Sequence, residues 1–212
     1  MLPTRADLEV NLAAALRLSR FDLGAIRAFD LSEQGFWRSF RALGVAVVLG
    51  ALSLHLFTIG SAADHTPGDP LAPPPVLGLF HALSLYGLAE AASSLVFIAV
   101  VAVACWFGGM RGGFVPFIVA HNWIAMMIAV VSAALGLLYA GGILPAALVG
   151  FLGLALVLWS LGATGAAAHA GLGAGIGVAI AVVVVDLLVT HYVMQGVFAV
   201  FGTGEAVTAV VG

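Results

Sequence analysis

Polar residues gather in positions 1–40 of the chain, and beyond them long apolar runs alternate with short glycine- and proline-rich breaks. Within the polar segment Leu8, Leu12, Ala15 and Leu16 recur at helical spacing, with Glu9, Arg17 and Arg20 on other faces. Thr4 with Asp7, and Asp30 with Glu33, resemble helix-capping pairs, the first with Asp in place of the usual Glu. The pattern predicts one or two short helices lying on the membrane surface and leading into a first span. A small helical hairpin packed on the protein itself fits equally, because an apolar stripe does not name its partner.

The first apolar run covers 41–60 and ends before a segment holding Asp64, Asp69, Pro67, Pro70, Pro73, Pro74 and Pro75, a proline density that stops any helix. The run 76–110 would be about 52 Å long as one helix, against a hydrocarbon core of about 30 Å. It therefore divides into an interfacial or re-entrant piece at 76–84 and a second span at 86–107, closed by Trp106 and the turn Gly108, Gly109, Arg111, Gly112, Gly113. A third span runs from Pro116, in its first turn, to Ala140. Gly141 and Gly142 turn the chain into a fourth span over 143–163, a glycine- and alanine-rich break with His169 occupies 164–173, and a fifth span covers 174–200. The expected fold is an all-α membrane protein: an interfacial helical segment (1–40), a five-helix transmembrane domain (41–200) and a short external tail (201–212) carrying Glu205. No cleavable signal is expected, since the first long apolar run begins too far into the chain.

Charge orients this arrangement. Arg5, Arg17, Arg20, Arg27, Arg38 and Arg41 precede or open the first span, Arg111 lies between the second and third, and lysine is absent. A cytoplasmic N-terminus places all seven inside, as the positive-inside bias requires, and puts Asp64, Asp69, Glu205 and the C-terminus outside. Composition agrees: 63% of residues are hydrophobic and only 8% charged, against about 25% charged in a soluble domain. Mean hydropathy is +1.18. The single Cys105 sits in an apolar run and excludes a disulfide framework.

Ionisable groups inside spans face the bundle interior or a wet cavity, which singles out His55, Glu90, His121, Asp186 and His191, with Asn122 as a companion amide. Counting about 1.5 Å per residue from the expected span ends gives two layers. The outer layer pairs Glu90 with His191 and has His55 nearer the surface; the inner pairs Asp186 with Asn122 or His121. Such groups serve proton or ion relays, and they also serve as interhelical hydrogen bonds that fix register, at roughly 0.6 kcal/mol each. His55 and His191 are the best-matched pair for axial haem ligation. At the cytoplasmic interface Phe36, Trp37 and Phe40 are the expected aromatic anchors, with Arg38 and Arg41 reaching headgroups.

Several chemistries find no support. Gly171, Gly173, Gly175 and Gly177 suit close helix approach rather than a phosphate loop, because no strand precedes them. There is no CxxC or HExxH spacing, so no metal site and no cofactor are expected. Asp30-Leu31-Ser32 and Ser93-Ser94 offer no nucleophile–base set.

The five-span layout resembles the Yip-type membrane proteins. Gly35-Phe36-Trp37-Arg38-Ser39-Phe40, His121-Asn122-Trp123 and Asp186 look more closely like a family of alphaproteobacterial integral membrane proteins of similar length. The resemblance implies architecture and a bacterial inner-membrane location, and carries no catalytic residues. Function is expected in this order: a non-enzymatic scaffold or accessory subunit, bound to the lipid bilayer and to other membrane subunits or copies of itself and not to nucleic acid; a small proton- or ion-coupled transporter or channel; a haem- or quinone-associated redox subunit. A cavity reaching both Glu90 and Asp186 favours the second.

Overall fold

Apolar residues without interior breakers form helices that satisfy their own backbone groups, the condition for crossing lipid. The computed structural model describes residues 5–65 and 76–201. Within them lie α1 (Arg5–Leu18), a 3-10 turn over Leu23–Ala28, α2 (Glu33–Ala63), α3 (Leu79–Phe107), α4 (Arg111–Ala140), α5 (Ala146–Leu172) and α6 (Ile176–Phe201). Helices α2 to α6 are all long and apolar enough to cross a membrane, the five spans expected. Thr4, the prolines and Asp69 of the proline-rich stretch, and the tail with Glu205 fall outside the described residues.

The helices outrun their expected bounds. α2 absorbs the Phe36–Phe40 segment and the first span into 31 residues, about 46 Å long. Its cap is Ser32, whose Oγ accepts from Gly35 N at 3.1 Å, rather than Asp30. Asp30 instead accepts from Ser32 Oγ at 2.6 Å and from Ser32 N at 3.1 Å, orienting the cap. α3 is continuous from Leu79, so the expected piece at 76–84 does not stand apart from the second span. α4 begins at Arg111 and carries Pro116 inside. α5 runs through the alanine- and glycine-rich 164–172 and stops only at Gly173, which adopts φ 62° as a left-handed cap.

Side-by-side packing follows the order α2, α3, α6, α5, α4, and α4 returns to α2, so the five helices ring a central space. The α2–α4 pair is the most extensive contact. Three polar ties set its parallel register: Asn122 Nδ2 donates to Ser39 Oγ at 2.9 Å, Ser53 and Ser132 hydroxyls meet at 2.6 Å, and Tyr139 OH donates to Asp64 Oδ2 at 2.7 Å. α4 and α5 approach backbone to backbone at Gly113 against Leu172 and at Gly171 against Phe117. Between α3 and α4 the tight turn uses Gly109 at φ 73°, and the Arg111 guanidinium stacks 3.7 Å over the Trp106 ring.

The polar N-terminal segment packs on the protein. Ala14, Ala15 and Leu18 of α1 are buried in one core with Phe117, Trp123, Ala163 and Ala167, and α1 leans on α4 and α5. Alanines on this face let the short helix come close enough to bury. At the other extreme, α6 fully buries only Ala179 and Phe198. Large apolar side chains such as Phe151, Leu154, Leu158, Ile180 and Leu188 face outward on α5 and α6. A continuous apolar surface of this kind needs lipid as its solvent.

Candidate functional site

The central space is a cavity of about 290 Å³ to which every spanning helix contributes. α2 lines it with a stripe at helical spacing, Leu43, Val47, Gly50, Leu54 and Phe57, together with Ala46 and Ser53. α4 presents His121, Ala125, Ile128 and Ser132, again one face of a helix. Glu90 and Ser94 of α3 lie one turn apart, as do Ser160 and Thr164 of α5, and α6 contributes Asp186. Gly50 faces Glu90, and a methyl group there would touch the carboxyl group in ordinary van der Waals contact, 3.7 Å from Glu90 Cδ.

Neither carboxylate makes a hydrogen bond or ion pair with the described residues. No arginine lines the cavity. The His121 ring is packed by Phe97 at 5.0 Å and Phe117 at 5.6 Å between ring centres, and its buried Nδ1 has no partner among the described residues. Three of the wall hydroxyls are satisfied: Ser160 Oγ donates to Val157 O at 2.7 Å, and Ser53 and Ser132 bond each other. Such hydroxyls retain lone pairs to offer a ligand. Among the described residues no three His, Cys, Asp or Glu side chains gather as a metal ion would require.

Two expected layers thus become one chamber. Glu90, Asp186 and His121 share it, while the expected Glu90–His191 pairing does not form. His191 is exposed on the outer face of α6, where Gln195 Nε2 donates to its Nε2 at 3.1 Å. Five residues separate it from Asp186, which rotates it about 140° around the helix. Asn122, next to His121, turns toward α2, is fully buried and bonds Ser39, so it ties helices instead of meeting Asp186. His55 is buried on α2 with Nδ1 unpartnered among the described residues, away from the cavity wall. The principal neighbours of α2 are α4 and α3 rather than α6, so His55 and His191 are not brought together as a haem pair.

The interfacial residues divide in the same way. Trp37 is 62% exposed, whereas Phe36 packs edge-on to Phe40 at 5.2 Å and tilts toward Phe114 at 6.3 Å. Arg38 lies 3.7 Å from Asp7 and 3.7 Å from Asp30, holding α1 and the following turn to α2, and Arg41 is exposed. Ser53, Ser94, Ser132, Ser160 and Thr164 are not among the expected site residues; the signal for them is polar residues recurring at intervals of four or eleven on otherwise apolar helices. A second, apolar groove of about 390 Å³ lies between α5 and α6 beside Phe21, and it contains no carboxylate.

Fold and cavity together define a multi-pass, all-α membrane protein whose interior chamber is acidic. No protein-family model, curated protein or solved structure matches the chain.

Proposed function

We propose that this protein is a small, non-enzymatic proton- or ion-coupled transporter of the bacterial inner membrane, with its N-terminus in the cytoplasm and its C-terminus in the periplasm. The observation that carries the reading is the cavity with Glu90 and Asp186 on its wall, both without a partner among the described residues. Ionised carboxylates in a bilayer interior need a countercharge, and the cavity wall supplies no arginine. A proton or cation entering from solution completes the site. Counting along the helices, Glu90 is about 17 Å from the start of α3 and Asp186 about 15 Å from the start of α6. α3 and α6 run in opposite directions, and Tyr86 meets Phe198 at 5.5 Å between ring centres. From that level Asp186 lies farther along its helix than Glu90 does along its own, so the two acids stand at successive depths, an order suited to handing a charge along.

A scaffold would need outward contact surface and gains nothing from unmatched acids inside; the cavity therefore moves the transport reading ahead of it. Orientation rests on the seven arginines, all of which fall on one side when the N-terminus is cytoplasmic. Bacterial inner-membrane placement rests on the resemblance of the five-span layout.

The test is proton movement into pyranine-loaded vesicles containing the purified protein, driven by a potassium diffusion potential or by an imposed gradient of a monovalent cation. Wild type acidifies or alkalinises the lumen several-fold faster than protein-free vesicles, and Asp186→Asn falls to background with unchanged helix content. No movement above protein-free vesicles under any of these gradients defeats the proposal.

A further inference from the structure

The make-up of the cavity wall narrows what enters it. An anionic solute would face two carboxylates with no cation beside them. A small metal ion held by protein carboxylates needs several of them converging on one point, and no three His, Cys, Asp or Glu side chains gather among the described residues. The hydroxyls of Ser94, Ser132 and Ser160 come instead from three different helices, spread around the wall. Much of the remaining wall is hydrocarbon: Leu43, Val47, Leu54, Phe57, Ile124 and Ile128.

We infer that the cavity receives a small organic cation, a protonated primary amine carried on a compact apolar body. This deepens the transport reading and rests on it for its physiological sense. An ammonium head has three donors and no acceptor, which complements a carboxylate flanked by hydroxyl lone pairs. The Ser53–Ser132 pair offers such an acceptor even while bonded to itself. The apolar body lies against the leucine, valine, isoleucine and phenylalanine side chains and gains from leaving water. Size sets a limit. With about 30 Å³ for each water-sized group, a space of about 290 Å³ holds on the order of ten non-hydrogen atoms. A compact arylalkyl amine of about that many atoms fills the space.

Phenethylammonium is a suitable probe, with phenethyl alcohol as its neutral counterpart and phenylacetate as its anionic one. Purified full-length protein in detergent is titrated with each by calorimetry and by thermal shift. The amine binds saturably and raises the unfolding midpoint, while the alcohol and the acid bind at least tenfold more weakly. Glu90→Gln and Asp186→Asn each weaken amine binding at least tenfold, so either variant serves if the other does not fold. Alcohol binding equal to amine binding, or amine binding unchanged in both variants, overturns the inference, as does displacement of the amine by equimolar sodium or potassium. Proton movement without amine binding also overturns it while leaving transport standing. Amine binding in a protein that moves neither protons nor amine across vesicles supports the site and removes the transport reading.

Discussion

Helices α4 and α5 cross with their backbones nearly touching, and one added methyl group is enough to probe that contact. A methyl on Gly171 would lie 2.6 Å from Phe117 Cα and 2.7 Å from Phe117 N. Carbon contacts are comfortable only at about 3.5–4.0 Å, so α4 and α5 must part by about 1 Å to admit it. No rotamer change relieves the clash, because the opposing atoms are backbone. The crossing is also reciprocal: a methyl on Gly113 would lie 2.5 Å from Leu172 Cα. Overpacking of this kind costs about 1–3 kcal/mol, and a glycine-to-alanine change within a helix returns up to about 1 kcal/mol of propensity. Gly171→Ala therefore loses about 0–3 kcal/mol net, the larger part of that range where the backbones cannot part. Gly150 lies on the same helix in open space, with nothing within 4 Å of where its methyl group would stand. Gly150→Ala is accordingly neutral or stabilising by up to about 1 kcal/mol. Reversible unfolding in mixed micelles with increasing dodecyl sulfate compares the two. Equal midpoints for Gly171→Ala and Gly150→Ala refute the reasoning.

Two further outcomes are expected. Hydrogen bonds from the Ser32 hydroxyl and then the Ser32 amide, with Arg38 adding its charge, hold Asp30 below its ordinary value of 3.8. A depressed carboxylate stabilises the fold above its unfolded pKa and loses that contribution as pH falls through the folded one. Amide protection at the start of α2 should thus fade only below about pH 4, and Asp30→Asn should abolish that dependence; protection that is flat with pH in the wild type contradicts it. For orientation, an alkaline phosphatase fused after Gly212 should be active and a fluorescent protein there dark, and the reverse pattern inverts the assignment.

The number of spans is legible in the sequence because each apolar run exceeds what a soluble helix core needs. Helix ends are not, since apolar composition continues past the membrane boundary and only capping geometry stops the helix. The stretch 164–172 illustrates this: its glycines and alanines read as a break, yet they are what lets α5 touch α4. Glu90, His121 and Asp186 stand out as ionisable groups in apolar surroundings, and all three line the cavity. Their partners are harder to read, because a count of depth leaves out rotation about the helix axis. His191 has a matching height and faces the wrong way. The hydroxyls escape notice because serine and threonine can bond their own helix, as Ser160 does with Val157, and so carry no obligatory signal. The N-terminal stripe announces an apolar partner without saying which, and the alanines at 14 and 15 suit a tight protein contact.

The burial of α1 against α4 and α5 carries a consequence for how the protein is made. Leu18 leaves the ribosome long before Ala163, its companion in the core. At about 5–20 residues per second, the interval is on the order of 10–30 s. During it the segment lacks its α5 contacts and is held by the Arg38–Asp7 ion pair and, once α4 is made, by that helix. A helix made before any of the five spans is then among the last to be fully seated, once the fourth helix across has been delivered. Arrested nascent chains ending before and after α5 should differ in this respect, with protease cutting near Arg17 and Arg20 only in the shorter ones.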